Sequence, residues 1–408
     1  MVIDSSICGL NIGDKYPTRL MGVLNLSDES FYKASVVDED SLLDVAEDMI
    51  CKGADILDVG GRSTWPLATP ISKQTEKTRL MPALDTLCNN LNIPISVDTM
   101  FADIAEEALN RGAHIVNDVS GLTSDANMVT VLREYDCPAI LMASKNKIGD
   151  PRGIDEVISA LGEILKKAQL NEIDTSKLIL DPAIGKWVPN KTATHDFDVI
   201  DNFERLRVFN NPILAAISRK SVIDAIINKP PEERLLGSLA ATSIVVNKGA
   251  HIIRTHDVEQ TVDVVKVATA LRSLPIEDTG NGVSIKVLDI TDQSDLVYYM
   301  KSIGTTEAGC HIMKKKSITK TVKITNISST EALIIKQEIL ARGGDAAIPK
   351  GAISHEIDDV DIILIGTTLQ LEKLANKLSY QARNLPMIAR KLKKILYTKK
   401  KYMNLDKL

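Results

Sequence analysis

Cysteine and aromatic residues are scarce in this 408-residue chain. The five cysteines are scattered and form no CxxC pair or other metal-type spacing, so the sequence predicts reduced thiols in a cytoplasmic protein. Aromatic residues make up only 4% of the chain, whereas hydrophobic residues make up 44%. We therefore expect a full core built mainly from aliphatic side chains.

Excess charge of one sign and long apolar runs are also missing. The net charge is −5 with 25% charged residues, a balance that gives no indication of a nucleic-acid partner. No segment has the roughly 18 consecutive apolar residues that a membrane span needs. The amino terminus MVIDSSICGLNIGD has neither a basic region nor an apolar run, so we expect no signal peptide and no membrane association.

The first 274 residues alternate between short apolar runs and amphipathic segments. The apolar runs predict strands at residues 20–26, 55–59, 93–98, 114–119, 139–142, 178–181, 212–217 and 251–255. The segments between them have apolar residues three and four apart, which is typical of helices. Because parallel strands need helical crossovers, eight such units predict an α/β fold of the (β/α)8 TIM-barrel type. A doubly wound open sheet is the competing architecture.

The rest of the chain has a different pattern. PIEDTGNG at residues 275–282 combines proline, glycine and charge without periodicity, which predicts a linker. Residues 283–408 contain shorter strand-like and helix-like runs, so we expect a small α+β domain that ends in a basic tail. Gly343 and Gly344 follow a helical segment and predict a tight turn at its end.

Polar side chains follow the predicted strands, at the end of a barrel where active sites lie. Two carboxylates, an amide and an ammonium follow strands three, four, six and seven: Asp98, Asn117, Asp181 and Lys220. A carboxylate can accept two parallel N–H bonds, and the amide and ammonium add further donors. Together they suit a flat heterocycle with donors and acceptors on its edge. The alternative for each residue alone is a helix N-cap or a local turn.

A second group of residues suits an anion, with or without a divalent metal. It consists of Asn25, Thr64, Arg254 and His256. Arg254 and His256 follow strand eight, where barrels often bind phosphate. Gly60 and Gly61 allow the backbone to approach a ligand closely. Asp257 is predicted as the N-cap of the following helix.

Eight motifs resemble, in order and spacing, those of dihydropteroate synthases, whose fold is a pterin-binding (β/α)8 barrel. They are MGVLNLSDESF, ADILDVGGRST, ISVDT, HIVNDVSGL, AILM, ILDPAIG, ISRKS and RTHDV. The resemblance covers residues 18–273. It implies condensation of 6-hydroxymethyl-7,8-dihydropterin diphosphate with an aminobenzoate, release of diphosphate, and Mg²⁺ as the metal. KQEILARGGDAA and the segment after it resemble an accessory domain fused to some archaeal-type dihydropteroate synthases, and no activity follows from that likeness.

The resemblance also implies a role for each matching residue. The pterin would be held deep in the barrel by Asp98, Asn117, Met142, Asp181 and Lys220. The metal would bind Asn25. The diphosphate and the second substrate would contact Thr64, Ser218, Arg219, Arg254 and His256. The chemical step is expected to depend on Asn25, Lys220, Arg254 and His256.

The loops depart from the family pattern. Arg62 stands where the family has an acid, Trp65 stands where it has an arginine, and the loops after strands five and six differ. Four cations could surround the mouth: Arg62, Lys145, Lys147 and Lys186. They would suit an arylamine that carries a phosphate, such as the phosphoribosyl-aminobenzene of methanopterin-type cofactors. The alternative is a set of exposed loop cations without a ligand, and aminobenzoate itself stays open.

Two other functions are compatible with a pterin-binding barrel. One is a methyltransferase that binds a methylated tetrahydropterin, and the other is a non-catalytic pterin-binding protein. Neither needs a diphosphate site, so Asn25, Arg254 and His256 favour the synthase. The expected partners are small-molecule substrates and a second copy of the chain in a homodimer.

Overall fold

The computed structural model describes residues 2–27, 37, 41–62, 71–280, 283–354 and 356–398. The chain divides into two compact units, the first ending at Val287 and the second beginning at Leu288. Among the described residues, no helix is both long enough and apolar enough to cross a membrane.

Eight parallel strands of the first unit form a closed barrel, so the predicted (β/α)8 fold is confirmed. An isolated parallel bridge between Leu180 and Ile213 joins the two ends of the sheet. The barrel strands are β3 (Arg19–Asn25), β4 (Ile56–Gly60), β5 (Ile95–Asp98), β6 (Ile115–Asp118), β7 (Ala139–Met142), β8 (Leu178–Asp181), β9 (Leu214–Ala215) and β10 (Ile252–Thr255). All eight predicted strands are present, and the seventh is shorter than expected.

Helices connect successive strands and cover the barrel. They are α1 (Leu42–Cys51), α2 (Lys73–Asn90), α3 (Ala102–Asn110), α4 (Met128–Tyr135), α5 (Gly153–Leu170), α6 (Ala193–Asp201), α7 (Ser221–Ile227), α8 (Leu235–Asn247) and α9 (Val258–Ala270). Most bury apolar side chains, as α3 does with Ile104, Ala105 and Ala108, whereas the buried face of α8 also includes Ser238 and Thr242.

A hairpin that the periodicity did not predict closes the amino-terminal end of the barrel. Strands β1 (Asp4–Ile7) and β2 (Leu10–Gly13) pair antiparallel. Ile7 and Ile12 are buried against residues near the starts of the barrel strands, among them Ile56 and Ile252. The opposite end, where the strands finish, is left for the site.

The second unit has a three-stranded antiparallel sheet in the order β13–β15–β14, with helices packed on one face. Its elements are α10 (Gln293–Ser302), α11 (Glu307–Met313), β13 (Thr319–Ser328), α12 (Ser329–Leu340), β14 (Asp345–Ala347), α13 (Lys350–Ile353), β15 (Asp359–Thr367), α14 (Thr368–Leu378) and α15 (Leu385–Leu396). The predicted turn after α12 is confirmed, because Gly343 has φ +78° and its N–H donates to the Leu340 carbonyl.

Two segments differ from the sequence-based expectation. Part of the predicted linker is strand β11 (Glu277–Gly280), which pairs antiparallel with β12 (Val283–Lys286). The first part of the predicted basic tail is helix α15, whose buried face includes Leu385, Ile388 and Leu392. The lysines lie between apolar residues of this face in the sequence, so they fall on other faces of the helix and leave an apolar stripe to be buried. The assignment of residues 1–274 and 283–408 to two domains stays a prediction.

Candidate active site

A cavity of about 640 Å³ opens at the carboxyl ends of the barrel strands. Strand-end and loop residues predicted from the sequence line it: Asn25, Arg62, Asp98, Asn117, Met142, Lys147, Asp181, Lys186, Ser218, Lys220, Arg254 and His256. The convergence of both predicted groups on one cavity follows from the parallel arrangement of the strands, because their carboxyl ends all face the same way.

Arg254 lies between two buried carboxylates deep in the cavity. Its Nε donates to Asp58 Oδ2 over 2.6 Å, and its Nη2 donates to Asp98 Oδ2 over 3.1 Å. The amide nitrogen of Asn117 donates to the same Asp58 oxygen over 3.1 Å. Three barrel strands thus bring a carboxyl–guanidinium–carboxyl cluster to the inner wall.

The Asp98 carboxyl holds its proton more tightly than an ordinary aspartate. Burial and the charge of Asp58 raise the pKa of Asp98 to about 8, and the charge of Arg254 opposes that shift. One guanidinium cannot neutralise two buried carboxylates. A neutral Asp98 can donate a hydrogen bond as well as accept one, so it can pair with either kind of ring atom.

Lys220 occupies the opposite side of the cavity floor. Its Nζ donates to the Ile184 carbonyl over 2.7 Å and lies 5.3 Å from the centre of the Trp187 ring. Burial lowers the pKa of Lys220 to about 8, although nearby Asp181 favours the charged form. Burial raises the pKa of Asp181, whose Oδ1 accepts the Ala183 N–H. This side presents an ammonium and a carboxyl on neighbouring strands.

His256 lies at the edge of the cavity beside Ser218. The His256 Nδ1 and Ser218 Oγ are 3.1 Å apart. Burial and the charge of Arg254 lower the pKa of His256 to about 3, so the imidazole is neutral at physiological pH. A neutral imidazole can bind an anion only as a hydrogen-bond donor.

The structure does not bring Arg219 to the cavity wall. Its Nη2 donates to Asp257 Oδ1 over 2.6 Å, and its Nη1 donates to the Pro231 and Glu232 carbonyls. Asp257 occupies the N-cap position of α9, but its side chain makes no capping hydrogen bond because it binds Arg219 instead. Arg219 therefore fixes a loop beside the site.

The four predicted mouth cations have different surroundings. Arg62 Nε donates to Glu76 Oε2 over 2.6 Å, so its charge compensates a buried carboxylate. Lys145 binds Glu163 and Ser159. Lys147 and Lys186 are exposed at the cavity mouth, and no ion pair involves them in the part of the chain that the structure describes. Thr64 lies outside the described residues.

Three functional candidates were not assigned from the sequence. Asp58 holds Arg254, and the place of a carboxylate among the apolar residues of β4 could have indicated this role. Trp187 lines the cavity and is one of only two tryptophans in the chain. Lys191 is completely buried beneath the loop that carries Trp187. No sequence pattern distinguishes such a buried lysine from an exposed one.

The residues present fit a magnesium ion held mainly by a phosphate ligand. Asn25 lines the cavity, and its Oδ1 accepts one hydrogen bond from the Ser27 N–H, which leaves a second lone pair. No group of three or more His, Cys, Asp or Glu side chains suited to a metal occurs among the described residues. Mg²⁺ usually takes few protein ligands and keeps phosphate and water oxygens, so a single amide oxygen is compatible with it.

Comparison with known proteins identifies the family. The model of the family described as "Pterin binding enzyme" matches residues 21–256. The chain belongs to this family. The dihydropteroate synthase of Bacillus subtilis is 36% identical over 258 residues, which cover 63% of this chain and 90% of that protein. The chain is an enzyme, a transferase of the dihydropteroate synthase type.

Solved structures of dihydropteroate synthases match the pterin-binding barrel of this chain. The protein from Coxiella burnetii, solved in complex with pteroic acid, has a TM-score of 0.60 and 33% identity, with coverage of 66% of this chain and 99% of that one. The protein from Xanthomonas albilineans, solved with 4-aminobenzoic acid, has a TM-score of 0.59 and 29% identity, covering 67% and 100%. The matched share is about the size of the barrel unit.

Proposed function

We propose that this chain condenses 6-hydroxymethyl-7,8-dihydropterin diphosphate with an arylamine, in a step of folate biosynthesis. The amine nitrogen forms a bond to the methylene carbon of the pterin while the bond from that carbon to the diphosphate oxygen breaks. Diphosphate leaves with the bonding electron pair, and the amine proton passes to water. The observation that carries the proposal is the convergence of heterocycle-binding and anion-binding groups on one cavity.

The deep residues are assigned to the pterin ring. Asp98, Asn117 and Asp181 offer carboxyl and amide groups at the ends of β5, β6 and β8, which suits the amino and amide edge of a pterin. Lys220 can donate to a ring carbonyl or nitrogen. Met142 lines the same cavity and provides an apolar surface for the ring. Burial strengthens each of these contacts because water does not compete.

His256 at the cavity edge, Asn25 and the deeper Arg254 are assigned to the diphosphate. His256 donates as a neutral imidazole, Arg254 adds positive charge, and Asn25 is the candidate metal ligand. When bound, Mg²⁺ would supply charge neutralisation for the leaving diphosphate. Hydrogen-bond donors and cations fixed where negative charge develops lower the barrier to its departure. An arylamine is already unprotonated at neutral pH, so the step needs no strong base.

The second substrate is proposed to be aminobenzoate or a phosphoribosyl-aminobenzene. The complex of the Xanthomonas albilineans relative with 4-aminobenzoic acid supports the first. The exposed Lys147 and Lys186 at the mouth support an anionic amine of either kind. Arg62 gives no support to a phosphate group, because Glu76 already neutralises it.

The decisive experiment measures diphosphate release from the pterin diphosphate with Mg²⁺, with aminobenzoate or with a phosphoribosyl-aminobenzene. Release with aminobenzoate but not with the phosphoribosyl-aminobenzene is the expected result for a folate enzyme. Release only with the phosphorylated amine would assign the chain to a methanopterin-type pathway. Tight pterin binding without release from either mixture would refute the synthase proposal in favour of a methyltransferase or a non-catalytic pterin-binding protein. The cytoplasmic location and the homodimer stay predictions.

A further inference from the structure

Lys191 is a completely buried lysine that does not line the cavity. Its Nζ donates to the Ala183 carbonyl over 2.6 Å and to the Gly149 carbonyl over 3.3 Å. These two carbonyls belong to different loops, one following β8 and the other following β7. Burial of an unpaired ammonium costs free energy, so the contacts of this lysine must offset that cost.

Asp196 is the charged partner of Lys191. Its Oδ1 lies 3.6 Å from Lys191 Nζ, and the side chains are 2% and 0% exposed. Burial raises the pKa of Asp196, while the Lys191 charge and a backbone hydrogen bond from Gly185 oppose the shift. Burial lowers the pKa of Lys191, and the charge of Asp196 opposes that shift. The pair therefore contacts the loop after β8 at both Ala183 and Gly185.

The loop held by this pair has unusual backbone geometry. Ala183 has φ +59°, a left-handed conformation that residues with a Cβ rarely adopt, and Gly185 has φ +124°. Gly149 in the neighbouring loop has φ +62°, and a Cβ there would lie 2.2 Å from Trp187 Cγ. Such conformations persist only where surrounding contacts impose them. The Lys191 ammonium supplies contacts to both loops.

Two consecutive carbonyls of the loop accept from two different lysines. Ala183 accepts from Lys191, and Ile184 accepts from Lys220 over 2.7 Å. The Trp187 ring, three residues further on, lies over the Lys220 ammonium. Any movement of the loop at Ala183 would therefore change the surroundings of Lys220 at the cavity floor.

We propose that Lys191, paired with Asp196, is a positioning residue that fixes the loop after β8 so that Ile184 and Trp187 hold Lys220 in place for the pterin. The inference rests on the proposed function for the role of Lys220. It concerns neither the chemical step nor direct substrate contact.

The first test follows Trp187 without any substrate. The chain has two tryptophans, so Trp65→Phe makes Trp187 the single fluorescent reporter. In that background, Lys191→Met is expected to shift the Trp187 emission to longer wavelength and to increase its quenching by acrylamide. Lys248→Met is the matched control, because Lys248 binds the Asp201 carbonyl and Glu204 but does not line the cavity. It should leave the emission unchanged.

The second test separates positioning from simple loss of stability. A variant that only unfolds more readily loses active molecules, so kcat falls while KM stays constant. We expect Lys191→Met to raise KM for the pterin diphosphate at least tenfold and to change KM for the amine less than threefold. Propylammonium should restore activity to Lys191→Ala in a saturable manner, and tetramethylammonium should not.

Asp196→Asn keeps the test decisive if Lys191→Met does not fold. It preserves the two carbonyl contacts of Lys191, so a smaller change in Trp187 emission and in KM is expected in the same direction. Folded variants at both positions with unchanged emission and unchanged KM would refute the inference. Absence of diphosphate release from the unsubstituted chain would instead refute the proposed function, and the fluorescence test would still stand.

Discussion

At the scale of single residues, the site holds polar groups that its own contacts do not fully satisfy. Arg254 serves both Asp58 and Asp98, and Asp58 Oδ1 has no hydrogen-bond partner among the described residues. Lys220 relies on one carbonyl and one aromatic ring. Buried polar groups in this condition cost stability in the free protein and gain partners when a ligand binds. Such groups indicate where binding energy is available.

Substitutions at Lys220 and His256 should separate binding of the pterin ring from binding of the diphosphate. Lys220→Met is expected to weaken the binding of pterins with and without diphosphate by about 2–4 kcal/mol, because a buried charged contact is lost. His256→Ala should weaken only the diphosphate form, and His256→Gln, a neutral donor, should recover part of that loss. Calorimetric titration with both ligands measures the difference. An equal loss of both ligands in His256→Ala would contradict the assignment.

The raised pKa of Asp98 predicts how stability depends on pH. In the unfolded chain this carboxyl loses its proton near pH 3.8, whereas in the folded chain it holds the proton up to about pH 8. Between these values the folded state binds more protons, so this group lowers the free energy of unfolding as pH rises. Asp98→Asn, which cannot titrate, should reduce that slope. Urea unfolding at pH 5, 6.5 and 8 checks it, and identical slopes would refute the shift.

At the scale of elements, one departure from the family pattern has a structural explanation. Arg62 follows β4 and binds Glu76 near the start of α2, and Glu76 also accepts from Thr99 Oγ1 over 2.6 Å. Glu76 is only 1% exposed. The arginine therefore joins a strand end to a helix through a buried acid. We infer that its charge stabilises the fold and leaves substrate recruitment to Lys147 and Lys186.

A double-mutant cycle tests this reading of Arg62. Arg62→Met leaves the Glu76 carboxylate buried without its cation and should lower the free energy of unfolding by about 3 kcal/mol. Adding Glu76→Gln should recover most of the loss, because no uncompensated charge remains. Chemical denaturation of the single and double variants gives the coupling. Unchanged stability together with a higher KM for a phosphorylated amine would show that Arg62 serves the substrate.

The strands were predictable because each is a short apolar run that ends in a polar residue. The helices could be predicted from their apolar stripes. The hairpin β1–β2 was missed because only Ile7 and Ile12 bury their side chains, too few for a periodic signal. Helix α15 was missed because the run of lysines predicted a basic tail, although Leu385, Ile388 and Leu392 have helical spacing. The pairings Arg219–Asp257 and Arg62–Glu76 depend on side-chain directions that no sequence spacing fixes.

At the scale of the whole molecule, each compact unit has its own apolar core. The second unit buries an aliphatic cluster that includes Ile335, Leu364 and Leu374. The barrel has separate clusters, including the one beneath the hairpin. A unit with its own core can fold alone. In the Bacillus subtilis relative, 90% of the protein corresponds to 63% of this chain, which is about the share of the barrel unit.

Ending the chain at Val287 should therefore preserve the barrel. We expect cooperative thermal unfolding and diphosphate release within threefold of the full chain, because the cavity residues all precede Val287. Circular dichroism and the release assay check both expectations. A shortened chain that aggregates or loses activity would show that the second unit supports the barrel.

The hairpin at the amino end has a consequence for the order of events in turnover. Ile7 and Ile12 close the amino-terminal end of the barrel, so in the part of the chain that the structure describes the ligands enter and leave at the carboxyl ends of the strands. Whatever binds deepest must enter first and leave last. If the pterin binds deepest, initial-rate kinetics should show ordered binding, in which the amine binds productively only after the pterin diphosphate. Amine that binds first should form a dead-end complex.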